Sequence, residues 1–85
     1  MIMWEVVLCE ATSKGYECKV KSTHTEFKQA LNKALMLADS ICLTKPFLCF
    51  YFKDVIDSSS PPDIAIVASA INAFYVAVRR KEVVM

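Results

Sequence analysis

The residues of this chain best suited to chemistry are its cysteines and its one histidine. Cys9, Cys18, Cys42 and Cys49 follow the spacing C-x8-C-x23-C-x6-C. A tetrahedral zinc site needs close pairs such as C-x2-C, because one turn must present two ligands to one ion. No such pair exists, and His24 alone cannot complete a site. A cysteine nucleophile needs a neighbouring base to form its thiolate. His24 is the sole imidazole available to Cys9 or Cys49, and it falls at a helix start rather than beside either thiol. Gly15 is the single glycine, so there is no glycine-rich phosphate loop, and the carboxylates stand singly. These absences exclude the common enzyme classes, and no metal, cofactor or small-molecule substrate is expected. Met1-Ile2-Met3-Trp4-Glu5 lacks the basic stretch of a secretory signal. A cytoplasmic location with reduced, buried thiols follows as the expectation.

Charge narrows the partners. Ten Lys and Arg against nine Asp and Glu leave a net charge of +1. Phosphate neutralisation supplies most non-specific nucleic-acid affinity, so a near-neutral chain has little to give. A nucleic-acid surface built from Lys19, Lys21 and Lys53 beside aromatic residues, with Arg79, Arg80 and Lys81 on phosphates, is the alternative reading. Hydrophobic residues make up 55% of the chain. The longest apolar stretch, 64–78, contains Ser69 and Asn72 and is shorter than the roughly 20 residues of a membrane span. A membrane partner is therefore not expected.

The elements follow from periodicity. Ile2 to Glu10 alternates as a strand, and Tyr16 to Lys21 as its hairpin partner, with Gly15 free to take positive φ in the turn. Pairing Thr12 with Tyr16 sets Leu8 opposite Val20 and Glu10 opposite Cys18. The core face is then Trp4, Val6, Leu8, Cys18 and Val20. Thr23-His24-Thr25-Glu26 has the form of a capping box, which predicts a helix from there to about Cys42. Its apolar arc is Phe27, Leu31, Ala34, Leu35, Ala38, Ile41 and Cys42, with Met36 on the polar side. Lys45-Pro46 ends that helix, and Phe47 to Asp54 forms a third strand. Ser60-Pro61-Pro62-Asp63 resembles a second helix start. The alanines that follow favour a helix from about Pro61 to Arg80 over the competing hairpin that Ile64, Ile66, Val67, Val76 and Val78 suggest.

The expected fold is thus α+β, one small domain over 1–85, in the order β-β-α-β-α. A three-stranded antiparallel sheet of order 2-1-3 carries two helices on one face. The other face stays bare and exposes Met3, Val7, Cys9, Phe47, Cys49 and Tyr51. On the second helix Ser69, Ala73 and Ala77 lie, with Ala65, at intervals of four, an arrangement that admits close helix approach. A contiguous exposed apolar patch marks an interaction surface. The expected function is a small non-catalytic protein-binding module that self-associates or regulates or inhibits a partner protein.

Overall fold

The computed structural model describes residues 1–44, 49–56 and 63–84. Two long alternating segments open the chain as a hairpin, β1 (Ile2–Thr12) and β2 (Gly15–His24). Helix α1 (Phe27–Thr44) follows, then a short strand β3 (Phe50–Tyr51) and a single helical turn α2 (Lys53–Ile56). A second hairpin closes the described chain, β4 (Ile64–Ala70) and β5 (Phe74–Glu82). The sheet is antiparallel, five-stranded among the described residues, in the order β2-β1-β5-β4-β3.

This overturns the three-stranded, two-helix expectation. The segment expected to be the second helix is a hairpin. Its β-branched residues fit a pleated surface better than a helix, where their side chains crowd the preceding turn. Asn72 takes φ 62° at the turn, and Ala73 N–H donates to Ala70 O at 3.1 Å. Positive φ at the third turn position is what Asn tolerates and most residues do not. Asp63, expected in a first helical turn, instead closes the open end of the hairpin. Its carbonyl accepts from Arg80 N–H at 2.7 Å, and its carboxylate accepts from the Arg80 guanidinium at 3.3 Å.

The third strand is displaced as well. Phe50 and Tyr51 pair with Ser69 and Ala68 at the far edge, and β5 takes the place beside β1 that the third strand was expected to fill. The register of β5 on β1 runs from Ile2↔Glu82 to Glu10↔Phe74, far longer than β3 could offer.

The first hairpin forms as expected, but with another register. Thr12 pairs with Gly15, and Gly15 has φ +116°. The Thr12 hydroxyl donates to Gly15 O at 2.7 Å and accepts from Lys14 N–H at 3.2 Å, pinning the tight turn. Cys9 therefore faces Cys18, and Val7 faces Val20. From Gly15 to Val20 this slip of one residue sends each β2 side chain to the opposite face from the one expected, and beyond the bulge at Lys21 the expected offset returns, with Val6 facing Ser22. The slip places Lys19, opposite Leu8, on the α1 side of the sheet without burying its charge, because Gly15 to Lys21 are all exposed.

Helix α1 is the best-anticipated element. Ala30, Ala34 and Ala38 are fully buried, Leu31 nearly so, and Phe27, Leu35, Ile41 and Cys42 pack partly against the same core, while Met36 is exposed. These alanines let the helix approach Val6, Leu8, Val67, Phe74, Val76 and Val78 closely. Trp4 meets Phe27 edge to face at 5.1 Å between ring centroids. The capping box does not form. Strand β2 runs through Thr23 to His24, and the helix begins with Ala30 N–H on Glu26 O. The thiols are not free: Cys9 bonds Cys18 and Cys42 bonds Cys49. Among the described residues no helix is long and apolar enough to cross a membrane.

Candidate functional site

Among the described residues, one face of the sheet carries α1, and no helix longer than a single turn lies on the other. The register defines the second face in rows. Cys18, Cys9, Tyr75, Ser69 and Phe50 form one row across all five strands. Val20, Val7, Ala77 and Ile66 form the next, followed by Thr23, Glu5, Arg79 and Ile64. Met3 and Lys81 pair at the end.

The floor of this face is closed by its own side chains. Val7, Cys9 and Ala77 are buried, with Tyr75 packed against them. Tyr75 also stacks obliquely on Tyr16, centroids 5.1 Å apart, and its hydroxyl lies 3.7 Å from Cys18 Sγ. Around that floor the apolar residues stay in solvent: Tyr16 is 49% exposed, Val20 46%, Phe50 45%, Ile66 40% and Ile64 65%. A solvated antiparallel face ordinarily alternates to polar residues, and this one does not. A shallow groove of about 280 Å³ crosses its end, lined by Tyr16, Ile66, Ser69, Ile71 and Tyr75 among others.

Polar character gathers at the opposite end. The Glu5 side chain is 7% exposed and accepts from Arg79 Nε at 2.9 Å, with Lys81 Nζ at 3.9 Å. Burial of a carboxylate demands such partners, since an unpaired buried charge is strongly destabilising. Two cations on one carboxylate leave the local balance positive.

The expected interface residues divide on this map. Met3, Val7, Cys9, Ser69 and Ala77 do lie on the helix-free face, although Val7, Cys9 and Ala77 form its floor rather than its contact surface. Cys49 packs toward the helix side and is bonded to Cys42. Tyr51 also faces the helix, where its hydroxyl donates to the Asp39 carboxylate. Ala73 sits in the β4–β5 turn against the main core, so the small-residue stripe dissolves once the segment is extended. Phe47 lies outside the described residues. The exposed apolar residues that sequence reasoning missed are Tyr16, Val20, Phe50, Ile64 and Ile66. A hairpin register with Cys9 opposite Cys18 would have found the first two.

The cations of the nucleic-acid alternative are scattered. Lys19 and Lys21 lie on β2 at one edge, and Lys53 opens α2 near the other. Arg79 and Lys81 are engaged with Glu5, and Arg80 with Asp63. The structure assembles no single basic platform from them. His24 Nε2 lies 2.8 Å from Ser22 Oγ, and Cys9 and Cys49 offer no thiol while bonded. Compared with protein-family models, curated proteins and solved structures, the chain matches none.

Proposed function

We propose that this chain is a small non-catalytic protein-binding module that regulates or inhibits a partner protein through the helix-free face of its sheet. The observation that carries the reading is the ring of exposed Tyr16, Val20, Phe50, Ile64 and Ile66 around a buried floor. Apolar burial supplies the affinity, at about 25 cal/mol per Å² removed from water. The excess of cation at Arg79 and Lys81 sets orientation, so the complementary partner surface is apolar with an acid at one end. A non-catalytic role is supported by the engagement of all four cysteines in disulfides. Two disulfides fit an oxidising compartment better than the expected cytoplasm with reduced thiols.

A photo-crosslinking amino acid placed at Ile66 tests this in cells that express the protein, with Met36 on the exposed side of α1 as control. The expected result is one dominant protein adduct from position 66, absent from position 36. With that partner purified, Ile66→Asp should weaken binding in calorimetry by about 30-fold, as loss of an interface anchor does. Adducts common to both positions, or unchanged affinity of the variant, would sink the reading.

A further inference from the structure

Among the described residues strand β2 ends the sheet, no element pairs with its outer edge, and Gly15 to Lys21 are exposed. An exposed strand edge is a template for another strand, and chains ordinarily block it with lysines or a bulge. Here a bulge does lie in β2, where Lys21 is the extra residue between Val20 and Ser22. It leaves the stretch Gly15–Val20 regular.

The backbone of that stretch is aimed outward in a defined way. Cys9 and Cys18 have Cα atoms 4.0 Å apart, the close spacing of a non-hydrogen-bonded antiparallel pair. The N–H and C=O of Cys18 therefore point away from β1, and by alternation so do those of Tyr16 and Val20. Any added strand must bond to these three residues.

We propose that β2 pairs antiparallel with β2 of a second copy, about a two-fold axis at Cys18, joining the two sheets into one. Charge selects the register. An axis at Cys18 places Glu17 opposite Lys19 of the second copy, and Lys19 opposite its Glu17. Moving the axis to Glu17 sets two glutamates face to face, and moving it to Lys19 sets two lysines face to face. On the other face the same register places Tyr16 against Val20 of the second copy, and Val20 against its Tyr16. These two side chains, 49% and 46% exposed in one copy, cover each other. An aromatic beside a β-branched residue and opposite charges in register are the favourable cross-strand pairs. The contact is self-complementary, as a two-fold interface requires. Cys18 can sit on the axis because its side chain is drawn toward Cys9. About six backbone hydrogen bonds form, two at each outward-facing pair. Both helices then lie on one side of the joined sheet and both open faces on the other. The seam covers Tyr16 and Val20 and leaves Phe50, Ile64 and Ile66 of that face open to a partner.

Sedimentation equilibrium of the purified chain and four variants tests the seam. The parent should show twice the 9.6 kDa chain mass. Glu17→Lys and Lys19→Glu each turn two attractive pairs into two repulsive ones and should raise the dimer Kd by about tenfold or more. The double variant Glu17→Lys/Lys19→Glu exchanges the charges and should regain the parent mass, which also shows that the substitutions leave the fold intact. Ile66→Asp should leave the mass unchanged, although it should weaken partner binding. A monomeric parent, single reversals without effect, a double variant that stays monomeric, or loss of the dimer on Ile66→Asp would each overturn the proposal.

Discussion

The two faces of the sheet solve the same problem by different means. On one, α1 lays Ala30, Ala34 and Ala38 against Val6, Val67, Val76 and Val78, and water is excluded by a whole element. On the other, Val7, Cys9 and Ala77 are sealed by single side chains from neighbouring strands, Tyr75 foremost, and by the Cys9–Cys18 bond. The first arrangement hides its central apolar residues completely and leaves only its margin partly exposed. The second hides only a floor and leaves a rim of apolar side chains in solvent. A helix-covered face is committed to stability, whereas a self-sealed face stays available for contact.

Phe74 and Tyr75 are adjacent in β5 and point to opposite faces, which makes them the sharpest probe of this difference. Phe74 is 3% exposed within the main core, and Tyr75 is half-buried on the open side. Phe74→Ala should destabilise the chain by about 3–5 kcal/mol, the usual cost of emptying a buried aromatic site. Tyr75→Ala should cost about 1–2 kcal/mol, because fewer of its contacts are dry. Urea unfolding of both variants checks the contrast. Equal losses would mean that the open face is as much a core as the covered one.

The disulfide on the open face is the next test. It closes a short loop with a sequence separation of 9. Constraining the unfolded chain to that extent is worth about 2–3 kcal/mol on the chain-entropy account. Cys9→Ala/Cys18→Ala should lower stability by that amount in urea melts and should loosen the Tyr16–Tyr75 contact above it. A loss under about 1 kcal/mol would show that side-chain packing alone holds this face, and the contrast with the helix-covered side would narrow.

What the sequence disclosed follows the same division. Helix α1 was legible because its 3.6-residue period is written in Phe27, Leu31, Ala34 and Ala38, and period alone decides which side is buried. Segment 64–82 was not, because alanines and β-branched residues satisfy both periods over short stretches. Asn72 was the decisive clue: a lone Asn in the middle of an apolar run is poor in a helix and good at a left-handed turn. The register of the first hairpin turns on whether a helix covers β2. Once no helix does, Lys19 and Glu17 carry no penalty on either face, and hydrophobic pattern loses its power to choose. The expected bare face belongs to a three-stranded sheet that does not form, and Tyr16, Val20, Phe50, Ile64 and Ile66, exposed on the open face, stand at positions other than those expected. Locating that rim required knowing that β5 lies between β1 and β4.

The smallest effect belongs to the margin of the covered face, where Tyr51 on β3 reaches α1. Its hydroxyl donates to the Asp39 carboxylate, and the Tyr51 pKa is pushed up to about 12. The hydrogen bond is the main cause, followed by partial loss of solvent and by the negative charge of Asp39. All three raise the folded-state pKa above the ordinary value of about 10. The stabilisation is then complete below pH 10 and declines as pH rises through 12. Because Tyr51 is 41% exposed, solvent screening holds the contribution below about 1 kcal/mol. Ultraviolet titration of the phenolate checks the assignment: in Asp39→Asn, ionisation of Tyr51 should move down from about 12 toward the ordinary value. An unchanged titration would detach β3 from the helix and place the edge of the covered face one strand further in.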